Sequence, residues 1–200
     1  MFEELIARVA SAFETACIPY MIIGGQAVLL YGTPRMTRDI DITLGVGTDG
    51  LEEVVGAVAT AGLKILPENY QSFVERTWVL PTQDELSGLR VNLIFSITPY
   101  EREAIERAGT VSLRGTSVRF ASLEDVIIHK VFAGRPRDFE DVRSIILKNP
   151  HFDEQYIVDW LKQFDQSVEG GAFLNKFREV MNPQWAIGAP RPKAVAFGED

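Results

Sequence analysis

Apolar residues at Phe2, Leu5, Ile6, Val9 and Phe13 recur at helical spacing and predict an amphipathic first helix. The run Tyr20-Met21-Ile22-Ile23 has no polar position, as expected of a short buried strand, and Gly24-Gly25 interrupts it. Gln26 to Tyr31 reads as a turn or two of helix, ended by Gly32 and Pro34. Asp39 to Leu44 alternates strictly, with Ile40, Ile42 and Leu44 on one side. After the flexible turn 45–50, Leu51, Val54, Val55 and Val58 predict a helix that stops at Gly62. Residues 73–80 and 89–96 are read as strands, and the polar stretch Pro81 to Gly88 between them suits an antiparallel hairpin. Pro99 opens a helix over Glu101 to Ala108, and residues 111–113 and 117–120 flank Arg114-Gly115-Thr116 as a short hairpin. From Ser122 onward the chain is helical. Ser122 with Asp125 resembles a capping box, Asp138 caps a helix after Pro136, and further helices run over about 153–164 and 170–181. The expected class is α+β: a mixed sheet with helices on one side, then a C-terminal helical bundle.

Two carboxylates stand out against this frame. In a strand, residues i and i+2 share a face, so Asp39 and Asp41 project side by side, away from Ile40 and Ile42. Adjacent like charges repel, and a divalent cation removes that cost. The alternative is a solvated Asp-x-Asp at a strand edge. Upstream, a strand running through two glycines into a helix N-terminus presents backbone N–H groups that attract phosphate, and glycine lets a ligand approach the backbone. Gly24, Gly25, Asp39 and Asp41 thus supply an anion cradle and a metal site within 18 residues, the parts needed for phosphoryl or nucleotidyl transfer. Asp39 and Asp41 would ligate one or two Mg²⁺ ions, and Gly24 and Gly25 would bond the β- and γ-phosphates of an NTP. Arg35, in the loop, either reaches a phosphate or forms a structural salt bridge. Thr37, on the face of Asp39, either bonds a phosphate or ends the loop, and the second role is favoured.

The stretch Ile22 to Ile42, with Gly-Gly-x-Ala, Tyr31-Gly32 and Arg-x-Thr-x-Asp-Ile-Asp-Ile, resembles the signature of the DNA polymerase β-like nucleotidyltransferase superfamily. Within it, the chain is most similar to small bacterial abortive-infection and type IV toxin–antitoxin nucleotidyltransferases. The later residues Ser122 to Asp125, His129-Lys130, Arg137-Asp138 and Asp141 resemble the downstream part of those proteins, over roughly residues 5–148 in all. The resemblance implies a nucleotidyltransferase core, placed over 1–120; the helical pattern adds a C-terminal region over 121–181, and the Pro-, Gly- and Ala-rich stretch 182–200 reads as an extended tail. It implies transfer of NMP from an NTP to a hydroxyl of a tRNA 3′ end, a protein or a small molecule, and a toxin role countered by an antitoxin protein. It also implies a third carboxylate in the catalytic set, at the position where this chain has Asn92. An amide offers a carbonyl oxygen but no charge and no proton-accepting carboxylate. The alternative is therefore a catalytically impaired nucleotide-binding or partner-binding module, unless Glu75 or Asp84 serves as base. Lys130 matches a lysine that faces the nucleotide in similar proteins, with pairing to Glu124 or Asp125 as its structural alternative. His129, beside apolar residues, reads as a core histidine.

Composition narrows the setting. Cys17 is the only cysteine and His129 and His151 the only histidines, which excludes an intrachain disulfide framework and argues against a zinc site. No segment approaches a membrane span and the acidic start Met1-Phe2-Glu3-Glu4 lacks a signal-peptide pattern, so a cytoplasmic protein is expected. A net charge of −8 argues against broad nucleic-acid binding. Residues 114–148 nevertheless carry seven basic side chains against five acidic ones, enough for a local basic surface or for helix ion pairs. Trp185, Ile187, Val195 and Phe197 in the tail are expected to pack on the body or, as an arm, on a second copy in a homodimer.

Overall fold

The computed structural model describes residues 1–96 and 98–182. Helix α1 (Phe2–Thr15) leads to β1 (Tyr20–Ile23), α2 (Gly24–Tyr31) and β2 (Asp39–Leu44). A single 3-10 turn (Thr48–Gly50) precedes α3 (Leu51–Thr60), β3 (Leu63–Ile65), α4 (Tyr70–Thr77), β4 (Val79–Asp84) and β5 (Arg90–Phe95). Then come α5 (Pro99–Arg107), β6 (Gly109–Leu113), β7 (Thr116–Phe120) and the helices α6 (Leu123–Ala133), α7 (Pro136–Lys148), α8 (Glu154–Ser167) and α9 (Phe173–Met181). The strands form one mixed sheet in the order β3-β4-β5-β2-β1-β7-β6, with β2 parallel to β5 and antiparallel to β1. The α+β expectation is met.

The alternation in β2 decides how the sheet is used. Ile40, Ile42 and Leu44 are almost fully buried, and across the ladder they meet Ile22 and Tyr20 of β1 and Val91, Leu93 and Phe95 of β5. Each such side chain contributes about 1.5–3 kcal/mol through burial. Helix α1 covers this face, with the Phe13 ring 5.5 Å from that of Tyr20 and Arg8 paired with Asp84. The opposite face carries Asp39, Asp41 and Asn92. The helices beyond Ser122 close on α2 and on one another around an aromatic cluster. In it Tyr100 lies 5.0 Å from Trp160 and 5.2 Å from Phe164, and Phe132 stacks on Phe173 at 5.1 Å.

Several local expectations hold. The Ser122 hydroxyl accepts from Asp125 N–H at 3.1 Å and donates to its carboxylate at 2.6 Å. Asp138 accepts the backbone N–H of Arg135, which is the residue before the first turn of α7. The β6–β7 hairpin turns through Arg114 and Gly115, both at positive φ, as a two-residue turn of this twist requires.

The strand expected over 73–80 is a correction. Residues up to Thr77 are helical, and strand begins only at Val79. Tyr70, Phe73 and Val74, at i, i+3 and i+4, are the covered positions of this helix, a stripe that the aromatic and β-branched composition disguised. Trp78 ends α4 in the left-handed region at φ 59°. Strand β4 in turn runs through Pro81 to Asp84, where a polar connection was expected, and β3 had no sequence signal. The first turn of α9 starts at Phe173, later than expected. Gly170 and Gly171 precede it, and the Asp165 carboxylate accepts the Phe173 N–H at 2.6 Å. The expectation that the tail packs on the body or on a second copy concerns residues 183–200, which lie outside the described residues. Among the described residues, no helix is long and apolar enough to cross a membrane.

Candidate active site

Gly24 is the hinge between strand and helix. Its φ of +65° is the left-handed conformation that glycine adopts without strain. It also abuts the carboxylates: a Cβ built on Gly24 would lie 2.3 Å from Asp41 Oδ2. The N-terminal turn of α2, with no side-chain cap, therefore meets Asp41 directly. Gly25 is crowded in the same way by the loop before β2, since a Cβ there would lie 2.3 Å from Thr37 Cγ2. Buried Gln26 donates to Thr37 Oγ1 at 2.6 Å, which fastens that loop over the glycine turn. Thr37 thus walls the cradle.

Asp39 is exposed and Asp41 half-buried. Asp41 stands in register with Asn92 on β5, whose Nδ2 donates to Asp41 Oδ1 at 2.9 Å. Burial pushes the Asp41 carboxyl above the usual range and the charge of Asp39 adds to the rise, while the Asn92 bond and the Lys130 and Arg135 charges partly offset it. Arg90 faces Asp39 in the same ladder. The two carboxylates present oxygen donors beside the backbone N–H groups of the glycine turn, a donor set suited to a hard divalent cation carrying phosphate. The alternative bases fare differently. Asp84 lies on the opposite face of the sheet, bonded to Arg8 and to Ser87, so strand alternation keeps it from Asp41. Glu75 sits on α4 rather than on a strand.

Arg35 and Lys130 are held by partners the sequence did not make evident. Arg35 forms a two-pronged pair with Asp141, Nε to Oδ1 at 2.9 Å and Nη2 to Oδ2 at 2.8 Å. Lys130, 8% exposed, bridges Asp138 and Asp141, each at 2.8 Å, and does not pair with Glu124 or Asp125 as its structural alternative had it. Burial would raise the Asp141 carboxyl, but bonds from Arg35 and Lys130 outweigh it and hold it below the usual range. The Asp141 bond in turn raises Arg35. The only hint was the spacing of Asp138 and Asp141 on the face of α7 shared with buried Val142 and Ile145. The same helix secures the end of α2: Lys148 Nζ donates to Gly32 O at 2.7 Å and Asn149 Nδ2 to Tyr31 O at 2.8 Å. His129 is a packed residue, its Nε2 shielded and without a partner among the described residues, and burial lowers its pKa to about 4.

A glycine turn entering a helix lies against an Asp-x-Asp pair on the adjoining strand of a mixed sheet, the arrangement expected of a nucleotidyltransferase. The fold agrees: the chain is similar to an antigenic nucleotidyltransferase-like protein from Paracoccidioides brasiliensis, at 17% identity and a TM-score of 0.54, over 84% of this chain and 90% of that one. It is similar in fold also to ANT(2")-Ia, solved in complex with adenylyl-2"-tobramycin, at 16% identity and a TM-score of 0.50, over 90% of this chain and 98% of that one. No curated protein sequence matches the chain. Residues 12–188 match the family described as nucleotidyl transferase AbiEii toxin, type IV TA system, and the chain belongs to that family.

Proposed function

We propose that the chain is a Mg²⁺-dependent enzyme that moves NMP from an NTP to a hydroxyl acceptor and acts as the toxin of a toxin–antitoxin pair. The observation that carries this reading is the contact of Gly24 with Asp41, which joins the phosphate-attracting end of α2 to the carboxylate pair. Asp39 and Asp41 would hold the cation, which supplies charge neutralisation of the triphosphate. The acceptor oxygen forms a bond to the α-phosphorus, the bond to the β-phosphate oxygen breaks, and pyrophosphate leaves. The hydroxyl proton leaves to solvent, since Asp39 and Asp41 would hold the cation and the Asn92 amide has no carboxylate to accept it. Gly24 and Gly25 would bond phosphate oxygens through their N–H groups. Arg35 and Thr37 would act by shaping the loop over that turn, and Lys130 by anchoring α7 beside it.

The acceptor we favour is polyanionic, a tRNA 3′ end. Arg38, Arg90 and Arg137 are exposed cations on the segments that carry or adjoin the site, and they suit a phosphate backbone. A protein hydroxyl or a small molecule is the competing acceptor class. The proposed setting is the cytoplasm, with an antitoxin protein as partner. The organisation proposed with it is a catalytic core over 1–120 and an acceptor-facing helical region over 121–181.

The test incubates the chain with each labelled NTP and Mg²⁺, against tRNA, against the protein itself and against small hydroxyl compounds. Label should pass to one acceptor with release of pyrophosphate, and Asp41→Ala should not transfer it. Binding of triphosphate without transfer to any acceptor would instead establish the binding-module reading that Asn92 favours.

A further inference from the structure

The two oxygens of Asp41 are not equivalent. Oδ1 receives the Asn92 amide at 2.9 Å, whereas Oδ2 faces the glycine turn. An ionised carboxylate only accepts hydrogen bonds, so Asn92 must turn its N–H toward Asp41 and its carbonyl away. The partial positive charge of that N–H therefore sits against Asp41 Oδ1, at the side of the carboxylate pair nearest β5. The side nearest α2 holds Asp41 Oδ2 and the uncapped first turn of the helix.

Three acidic side chains that could complete a second centre are engaged elsewhere. Asp138 and Asp141 are taken up by Lys130 and Arg35, and Asp84 lies across the sheet. Among the described residues, no group of three or more His, Cys, Asp or Glu side chains could hold a metal ion. Two dications a few Å apart would repel with four times the energy of two unit charges, and beyond the phosphates the protein offers them only the carboxylates of Asp39 and Asp41.

We propose that the site takes a single divalent cation, entering with the triphosphate on the α2 side, and that Asn92 is the positioning residue that limits it to one. The inference rests on the cation-dependent reading given above and goes beyond it, because that reading leaves open one ion or two. Asn92 fixes Asp41 so that one oxygen is committed to the amide and the other to the ligand, and its N–H repels a second cation from the β5 side.

Mn²⁺ is the probe. The full chain is saturated with an α,β-methylene NTP analogue, and free Mn²⁺ is followed by electron paramagnetic resonance, corrected for Mn²⁺ held by nucleotide in solution. The native protein should bind one Mn²⁺ per chain. Asn92→Asp should bind two, and should bind Mn²⁺ without nucleotide about tenfold more tightly or better, since a negative charge replaces a dipole at contact distance. Asn92→Ser, which withdraws the amide without adding charge, should admit a second ion with low affinity, and serves if the aspartate variant does not fold. Two Mn²⁺ ions on the native protein would overturn the single-cation site. One ion on each of the three proteins would overturn the role of Asn92. Binding of the analogue with no Mn²⁺ on the protein at all would fail differently, by removing the cation-dependent reading beneath both.

Discussion

Replacing Gly24 by alanine tests the join between the helix end and the carboxylates more directly than removing a carboxylate does. Two costs are separable. The backbone at φ +65° disfavours any Cβ by about 1–2 kcal/mol. The new methyl would also lie 2.3 Å from Asp41 Oδ2, so Asp41 must rotate and surrender its bond from Asn92. A hydrogen bond to a charged group is worth about 1.5–3 kcal/mol, which brings the total to about 2.5–5 kcal/mol. In an Asp41→Ala background the second cost disappears and only the backbone penalty of about 1–2 kcal/mol remains. Urea unfolding of the four proteins gives the coupling directly, expected at about 1.5–3 kcal/mol, with unchanged urea sensitivity as the check on two-state behaviour. Calorimetry with Mg²⁺ and triphosphate should find Gly24→Ala unable to bind, because the methyl occupies the space where phosphate meets the backbone. Equal penalties in both backgrounds, or normal nucleotide binding by Gly24→Ala, would refute the geometry.

Asp39→Ala or Asp41→Ala should abolish Mg²⁺-dependent triphosphate binding and leave the fold intact; unchanged calorimetric affinity in both would sink the cation site. Lys130→Ala should cost about 3 kcal/mol in urea unfolding, because Asp138 and Asp141 lose the cation they share, and Asp138→Asn in the same chain should recover part of it. A Lys130→Ala protein of native stability would show that the pairings are not maintained in solution. His129 stays neutral in the folded protein down to about pH 4, whereas the unfolded chain takes up a proton near 6.5, so stability rises with pH across that window and is lost as pH falls through it. The shift bounds the loss at about 3 kcal/mol. His129→Phe should flatten the pH dependence of stability between those values, and an unchanged slope would refute the assignment.

What could be read from the sequence was local. Gly24-Gly25, the alternation of Asp39 to Leu44, the Ser122 cap and the Arg114-Gly115 turn each need only neighbours within a few positions, and all stand where the pattern put them. The pairing of Arg35 with Asp141 spans 106 residues, and that of Asn92 with Asp41 depends on a strand register, so neither could be read from spacing. Composition misled at residues 73–77, where Phe, Val and Thr suggested a strand and the packing of one helical stripe decided otherwise. Lys130 illustrates the middle ground. Its importance was visible from resemblance, but its partners lay on the following helix, where tertiary packing alone selects among the nearby acids.

Helix α7 is fastened to the segment between α2 and β2 at several points: Asp141 to Arg35, Ser144 to Thr33, Lys148 to Gly32 and Asn149 to Tyr31. This has a consequence for biosynthesis. Residues 24–41 leave the ribosome early, yet the loop that walls the glycine turn acquires its anchors only after residue 149 has been made. A nascent or truncated chain carries the carboxylate pair without the frame that holds its entrance. For a protein proposed to arrest growth, this delays completion of the site entrance until residue 149 has been made, and so leaves an interval in which an antitoxin can be present first.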